Sequence, residues 1–531
     1  MAKDLFFDRE NYLNLLRKRI ADLKDGYRQN VALLGDELVG KTSIILHILK
    51  TFYDPYIILV YVELRFETIL TFAHRFIGVL LYNFLSNNCH GLKEDLDYLL
   101  CKAESYIPRT CEKARKVLMH LKNGRRNNML TEIFSLTDLI YQETGKRCVV
   151  ILDEFHNLEN FKIKGLYAEW QKLLILQKNT LYILVSSMKH RARLILAKDL
   201  ALLFGNFEVV GVEPFDIKTS DMYISLKSKE RGIDKGIREF LIYFTGGVPF
   251  YLDILTDLVL SMPEGKLSEA LEGILFCPTG VLNQRFVTFM DRIIGSRAFS
   301  QDYINILSLV ANGVNKVKEL MQRLNMAKRE LDRRLDYLLD INFISRNGDF
   351  IIINDRVFSF WLRFVYQEKA FSLDAFTQRQ RANFRERIVQ FIKEFSTNAQ
   401  RPLLERLEEL LQLFEDDNLQ IEKKKLRLSR FREVKPLNFT CKGFPEGLIG
   451  RARDSLWILA LRYGSISEDD IAEFAQECRR YRHRCQRRII VSLQEIDPNA
   501  RLRALEEKIW TWDVNHLNNL FDLYFKPRVI T

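Results

Sequence analysis

The stretch Gly35-Asp36-Glu37-Leu38-Val39-Gly40-Lys41-Thr42-Ser43 constrains this chain more than any other. It fits G-x-x-x-x-G-K-[ST], where glycines let backbone N–H groups turn inward around phosphates and a helix N-terminus adds a positive dipole end. The flanks are those the pattern needs. Asn30-Val31-Ala32-Leu33-Leu34 is a short apolar run readable as a buried strand, and Ser43 to Lys50 has helical length. Gly35, Gly40, Lys41, Thr42 and Ser43 are therefore candidate nucleotide-binding residues. Lys41 is placed to reach the β- and γ-phosphates and the Thr42 hydroxyl to sit on Mg²⁺, so the expected cofactors are ATP and Mg²⁺.

About a hundred residues on, Cys148-Val149-Val150-Ile151-Leu152 runs into Asp153-Glu154. A carboxylate at a strand's C-terminal edge faces the phosphate loop in a parallel sheet. Asp153 is thus the second candidate Mg²⁺ residue, acting through water, and Glu154 the candidate general base for an attacking water. Tyr56–Leu64, Leu181–Val185 and Phe207–Val212 read as further buried strands of the same α/β sheet. Ser187, just past the fourth strand, fits either a contact to the γ-phosphate or ordinary turn chemistry. Lys189-His190-Arg191-Ala192-Arg193, directly after it, either supplies cationic charge to a neighbour or faces solvent.

With 531 residues the chain is long enough for about three or four domains. Its 47% hydrophobic and 28% charged composition suits proteins with packed cores. No apolar run reaches the roughly 18–20 residues needed to cross a bilayer. The first eight residues lack the apolar core of a signal peptide. Eight cysteines are scattered, and Cys478, His483 and Cys485 lack a second ligand pair for zinc. Reduced thiols, no membrane and a cytoplasmic compartment are the expectation. The net charge of +11 suits nucleic acid and, almost equally, a plain basic protein.

Tyr12 to Leu23 is an amphipathic helix that either packs over an adenine or is an ordinary N-terminal helix. Glu67 to Gln142 is mostly helical, and its basic tract Lys113 to Asn128 reads as a solvated face or loop. Asp216 to Arg297 is helical, broken sharply at Gly246-Gly247 before Pro249. Asp302–Asn312, Lys316–Leu324 and Ala327–Asp340 precede a hairpin with an Asn347-Gly348 turn, the pattern of a winged helix. Its third helix carries Lys328, Arg329, Arg333 and Arg334, able to meet DNA phosphates, beside Glu330, Asp332 and Asp336, which suit protein docking. Residues 371–400 read as a linker or connecting helix. In the tail, a helix over Pro402–Phe414 is followed by strand, helix and strand at Ser455–Tyr463, Glu468–Tyr481 and Arg488–Leu493, implying a small α/β domain. The run Arg479, Arg480, Arg482, Arg484, Arg487 and Arg488 is either a solvated helix end or a phosphate contact.

These features together resemble the archaeal-type P-loop ATPases of the AAA+/STAND assemblage, relatives of origin-recognition initiators. The resemblance rests on Phe7-Asp8-Arg9-Glu10, the Gly35–Thr42 loop, Leu152-Asp153-Glu154-Phe155, Gly246 to Leu252, and Asp355 to Tyr366. It implies Arg9 as a nucleotide-binding residue, Pro249 as an adenine-side contact in a helical lid, and Ser187 as a phosphate sensor. Relatives often show a Gly-Arg pair before the fifth strand. Here Gly205-Asn206 stands there, leaving the arginine finger unassigned. The tail resembles PD-(D/E)xK nuclease-like domains, whose acids and lysine fall here on Gly447, Ala460 and Arg462. A disarmed fold kept for binding is implied, with Glu446 and Asp454 as alternative acids if the alignment shifts.

The expected architecture is an α/β P-loop core of AAA+/STAND type over residues 1–215. A helical lid (216–297), a winged helix (298–370), a linker (371–400) and a degenerate restriction-endonuclease-like α/β domain (401–531) follow. The expected function is a slow ATPase switching on DNA, through the winged helix and the Arg479–Arg488 patch. The alternative is a regulatory ATPase that docks protein partners; a homo-oligomer is open in either case.

Overall fold

A computed structural model describes residues 6–86, 91–200, 207–229, 231–262, 266–295, 299–370, 378–421, 424–440, 443–453, 455–481, 485–494 and 496–530. The chain forms two compact units. The first comprises Met1–Pro214, Val248–Phe250 and Asp340–Asn342; the second comprises Phe215–Gly247, Tyr251–Leu339 and Phe343–Thr531.

The first unit is built on five parallel strands: β1 (Asn30–Leu34), β2 (Ile57–Glu63), β3 (Arg147–Asp153), β4 (Thr180–Ser186) and β5 (Phe207–Gly211). Their order across the sheet is β2-β3-β4-β1-β5. β1, β3 and β4 lie inside the sheet, and nearly every residue in them is buried. That is why they read as continuous apolar runs rather than alternating ones.

The period-2 pleat still sorts them. Val31, Leu33, Val149, Ile151 and Ile183 pack with α1 (Glu10–Lys24) and α2 (Lys41–Thr51) on one face. Ala32, Leu34, Val150, Leu152 and Tyr182 face the other side, against α3 (Ile69–Ser86) and the helices that follow it. Against the expectation that no apolar run reaches membrane-spanning length, α3, with 18 residues, is long and apolar enough to cross a bilayer. Here Phe72, Phe76, Leu80 and Leu81 are fully buried in the core, which accounts for its apolar sequence.

Apart from Val248–Phe250 and Asp340, the second unit holds the helices of residues 216–294, then Ser300–Ala311, Val317–Leu324 and Lys328–Asp340, then the antiparallel hairpin β6 (Ile344–Asn347) and β7 (Phe350–Ile353). Residues 378–400 form one 23-residue helix, Gln378–Gln400, with Phe384, Ile388 and Phe395 buried. Of 371–400, expected as a linker or connecting helix, the described part is helical. A second hairpin, β8 (Asp417–Ile421) with β9 (Lys424–Leu428), had no counterpart in the sequence-based expectation. Nor did the edge strand β10 (Glu433–Asn438).

β10 opens a mixed sheet with β11 (Glu446–Arg451), β12 (Leu456–Arg462), β13 (Cys485–Ser492) and β14 (Ile509–Trp512) in that order. β10, β11 and β12 are antiparallel, while β12, β13 and β14 run parallel. Glu468–Cys478 supplies the crossover between β12 and β13 and starts with a capping box on Ser467 and Asp470.

Phe134 sits at the centre of the first unit's larger core, fully buried, with ring contacts to Phe76 (5.3 Å), Trp170 (5.3 Å) and Tyr182 (5.6 Å). Phe134→Ala should cost about 3–5 kcal/mol, read as a lowered urea midpoint. A midpoint unchanged from wild type would contradict this placement of the core.

Candidate active site at the first strand

β1 ends at Leu34, and the chain must then turn beside β5. A Cβ on Gly35 would lie 2.3 Å from the Val212 carbonyl oxygen, so only glycine passes there. Gly40, at φ +96°, closes the loop in a conformation that L side chains rarely adopt, and α2 begins at the next residue. The loop therefore lies between a buried strand and a helix start, the position in which its backbone N–H groups can converge on an anion.

Lys41 is 5% exposed, and its Nζ donates to the backbone oxygen of Asp36 at 2.7 Å. Burial pulls its pKa down, opposed by the charges of Glu154 and Asp153. Thr42 and Ser43 are exposed on the first turn of α2. The Thr42 hydroxyl donates to Asp153 Oδ2 at 2.8 Å. Asp153, 2% exposed at the end of β3, also accepts from the Tyr61 hydroxyl at 3.1 Å and from the Glu154 N–H at 3.0 Å. A hydroxyl and a carboxylate this close form a hard-oxygen donor set, which fits Mg²⁺.

Glu154 takes φ +52°, unusual for a non-glycine residue and a common mark of functional sites. Its Oε2 accepts from both the N–H and the hydroxyl of Ser187, each at 2.9 Å. Burial pushes the Glu154 carboxyl up, opposed by those two bonds and by Lys41. That is the direction a general base working near neutrality requires. His156 stands beside it, with Nδ1 2.8 Å from the Ser186 hydroxyl and 3.4 Å from Glu154 Oε2. Burial, aided by the charge of Lys41, lowers the His156 pKa from 6.5 to about 4.

The expected residues Lys41, Thr42, Asp153, Glu154 and Ser187 thus meet at one place. Arg9 lies behind the loop. Its Nη2 donates to the carbonyls of Val39 (2.9 Å) and Glu213 (3.0 Å), bracing the loop's backbone against the residues after β5. Pro249, the first residue of the helix Pro249–Ser261, falls with Val248 and Phe250 in the first unit. Asn206 and Gly205, the arginine-finger position, lie outside the described residues. Tyr61, His156 and Asp36 were not anticipated. Asp36 lies within the loop motif and His156 two residues after Glu154, while Tyr61 is brought in by the register of β2, where Glu63 pairs with Asp153.

The second unit corrects two basic clusters. Arg334, expected to meet phosphates, is 5% exposed, bonded to Asp302 Oδ2 at 3.0 Å and 3.9 Å over the Phe299 ring. Lys328, Arg329 and Arg333 are exposed. In the tail, Arg487 lies between Trp457 and Trp510, 5.0 Å from each ring, and Arg480 pairs with Glu477 at 2.7 Å. Arg482 and Arg484 lie outside the described residues.

The tip of the β6–β7 hairpin is also occupied. Asn418 N–H donates to Asp349 Oδ2 (2.7 Å), Gln420 N–H donates to Asn347 Oδ1 (2.7 Å), and a Cβ on Gly348 would strike the Asn418 carbonyl at 2.0 Å. At the nuclease-like positions, a Cβ on Gly447 would lie 2.0 Å from the Leu459 carbonyl, and Ala460 is fully buried. Arg462 donates to the Gly443 carbonyl. No acid fits at Gly447, whatever the neighbouring sequence. Asp454, one alternative acid, lies outside the described residues, and the other, Glu446, is half-buried at the start of β11. Among the described residues no group of three or more His, Cys, Asp or Glu is arranged to hold a metal.

No family model and no curated protein matches this chain. Similar solved structures include a Walker-type ATPase of Pyrococcus abyssi, at 19% identity and TM-score 0.45 over 67% of this chain and 96% of that one. Another is the Aeropyrum pernix ORC2 protein in its ADPNP–ADP complexes, at 11% identity and TM-score 0.40, covering 70% and 98%. A third is a Thermotoga maritima RuvB variant, at 16% identity and TM-score 0.30, covering 67% and 96%. All three TM-scores lie below 0.5.

His156 should remain unprotonated at pH 5.5. Between pH 6.5 and about 4 the unfolded chain takes up a proton that the folded imidazole refuses, so stability should fall as pH drops through that window. Histidine NMR titration checks this; a His156 signal titrating near 6.5 would contradict the burial assigned to it.

Proposed function

We propose that this chain is an ATPase whose first unit binds and hydrolyses ATP and whose second unit responds as a nucleotide-dependent switch on DNA. The observation that carries the proposal is the meeting of Lys41, Thr42, Asp153 and Glu154 around one loop between β1 and α2. Backbone amides of Gly35–Thr42 and the Lys41 ammonium bind the phosphates. Thr42 and Asp153 would hold Mg²⁺, which when bound neutralises charge building on the phosphate oxygens. Glu154, held by Ser187, orients a water and takes its proton; its raised pKa suits that task. Tyr61 fixes the Asp153 carboxylate, and neutral His156 presents a dipole rather than a second positive charge beside Lys41.

For DNA the support is narrower than the basic composition suggests. Three helices followed by the hairpin β6–β7 support the winged-helix reading, and the exposed cations of Lys328–Asp340 are Lys328, Arg329 and Arg333. The covered hairpin tip favours a second reading, a slow regulatory ATPase that docks proteins through the same unit. In both readings the tail is a nuclease-like fold without nuclease chemistry, supported by the closed position at Gly447.

Lys41→Ala should abolish nucleotide binding, and Glu154→Gln should keep ATP bound while turnover falls by about 10²–10⁴. Unchanged ATP affinity in the first variant, or retained hydrolysis in the second, would overturn the site. Duplex DNA binding should weaken steeply between about 50 and 200 mM salt, and Arg329→Ala with Arg333→Ala should flatten that salt slope by about two. A gel shift indifferent to both changes favours protein docking.

A further inference from the structure

Lys41 of the same loop and two residues distant in sequence, Lys189 and Asn342, converge on Asp36, the second residue of the phosphate loop. Lys41 Nζ donates to its backbone oxygen (2.7 Å), Lys189 Nζ to its carboxylate Oδ2 (2.7 Å), and Asn342 Nδ2 to Oδ1 (2.8 Å). Two ammonium groups thus meet within the length of one residue at the loop's mouth. Lys189 is placed there by the end of β4. Ser186 closes that strand, Ser187 bonds Glu154, and the Lys189 N–H donates to the Ser187 carbonyl at 3.2 Å. The turn that holds the candidate base therefore also aims Lys189 at the loop. Its side chain is 24% exposed, so it is partly desolvated and keeps a face to solvent.

We propose that Lys189 is a second phosphate-contacting cation, acting within the same chain, which exchanges the Asp36 carboxylate for the terminal phosphate of a bound nucleoside triphosphate. The inference rests on the nucleotide reading of the site and names a residue that reading did not use. A terminal phosphate offers more negative charge than one carboxylate and lies in the direction Lys41 already serves. Asp36 is not left without a partner when Lys189 departs, because Asn342 still donates to its other oxygen. A diphosphate lacks the group Lys189 would contact, so the residue separates the two nucleotide states. No bond is made or broken in this exchange; one ion pair replaces another.

The test compares ATP and ADP affinity, turnover and thermal stability in the full-length protein, using a fluorescent nucleotide and unlabelled competitors. Lys189→Met should lose about tenfold in ATP affinity with ADP affinity unchanged, and turnover should drop on the order of a hundredfold. Lys189→Arg should recover most of the preference for ATP, and Asp36→Asn, which removes the competing carboxylate, should bind ATP more tightly than wild type. An ATP-to-ADP affinity ratio in Lys189→Met equal to wild type overturns the proposal, whether both affinities hold or both fall with stability. A wild-type protein that binds no ATP overturns the nucleotide reading itself, and this inference with it. Lys41→Ala losing both nucleotides leaves the former standing and is separate from the Lys189 result.

Discussion

A carboxylate buried to 2% exposure must be answered by donors, and at Asp153 three answer it: Thr42 Oγ1, Tyr61 Oη and the Glu154 N–H. The rest of the first unit follows from keeping those groups together. β4 lies between β1 and β3, so the sheet order alone separates Thr42 from Asp153 by a strand. The gap is spanned because α2 starts at the loop and presents Thr42 on its first turn, over the carboxyl ends of the strands. Gly35 permits the close approach to Val212 that this start requires, and Arg9 holds the loop from behind through two carbonyls.

The electrostatics of the pocket follow from the same packing. Lys41, Asp153, Glu154 and His156 share a partly desolvated space, and each is set by its neighbours. Burial opposes the charged form of Lys41 and of Glu154, while their mutual attraction restores part of it. His156 stays neutral, so it adds no positive charge beside the buried Lys41 ammonium. Ser187 holds Glu154 by two bonds from one residue, fixing the orientation of its carboxylate.

Much of this was legible in the residues, for physical reasons. Internal parallel strands bury both faces, so Val31–Leu34, Cys148–Leu152 and Leu181–Val185 announce themselves as apolar runs. A loop that cradles phosphate can be built from few residue types, so Gly35, Gly40 and Lys41 stand out. What stayed hidden depends on contacts distant in sequence. Asp36 reaches Lys189 and Asn342 at separations of 153 and 306 residues, which no local pattern encodes. Counting charges offered Arg334 to phosphates and Arg487 to phosphate or solvent, where packing puts one against Asp302 and Phe299 and the other between two tryptophans. β8, β9 and β10 escaped because short strands in which half or more of the residues are polar resemble a solvated loop until a partner strand covers one face.

The central claim is that backbone amides of the loop, with one buried ammonium beneath them, capture a triphosphate. Amide hydrogen exchange over residues 35–43, measured with and without ATP and Mg²⁺, tests it most directly. The account predicts that exchange in this segment slows markedly on adding nucleotide, and that residues 153–156 at the end of β3 slow with it. Exchange in both segments identical with and without nucleotide, at concentrations that saturate ordinary P-loop sites, would contradict it.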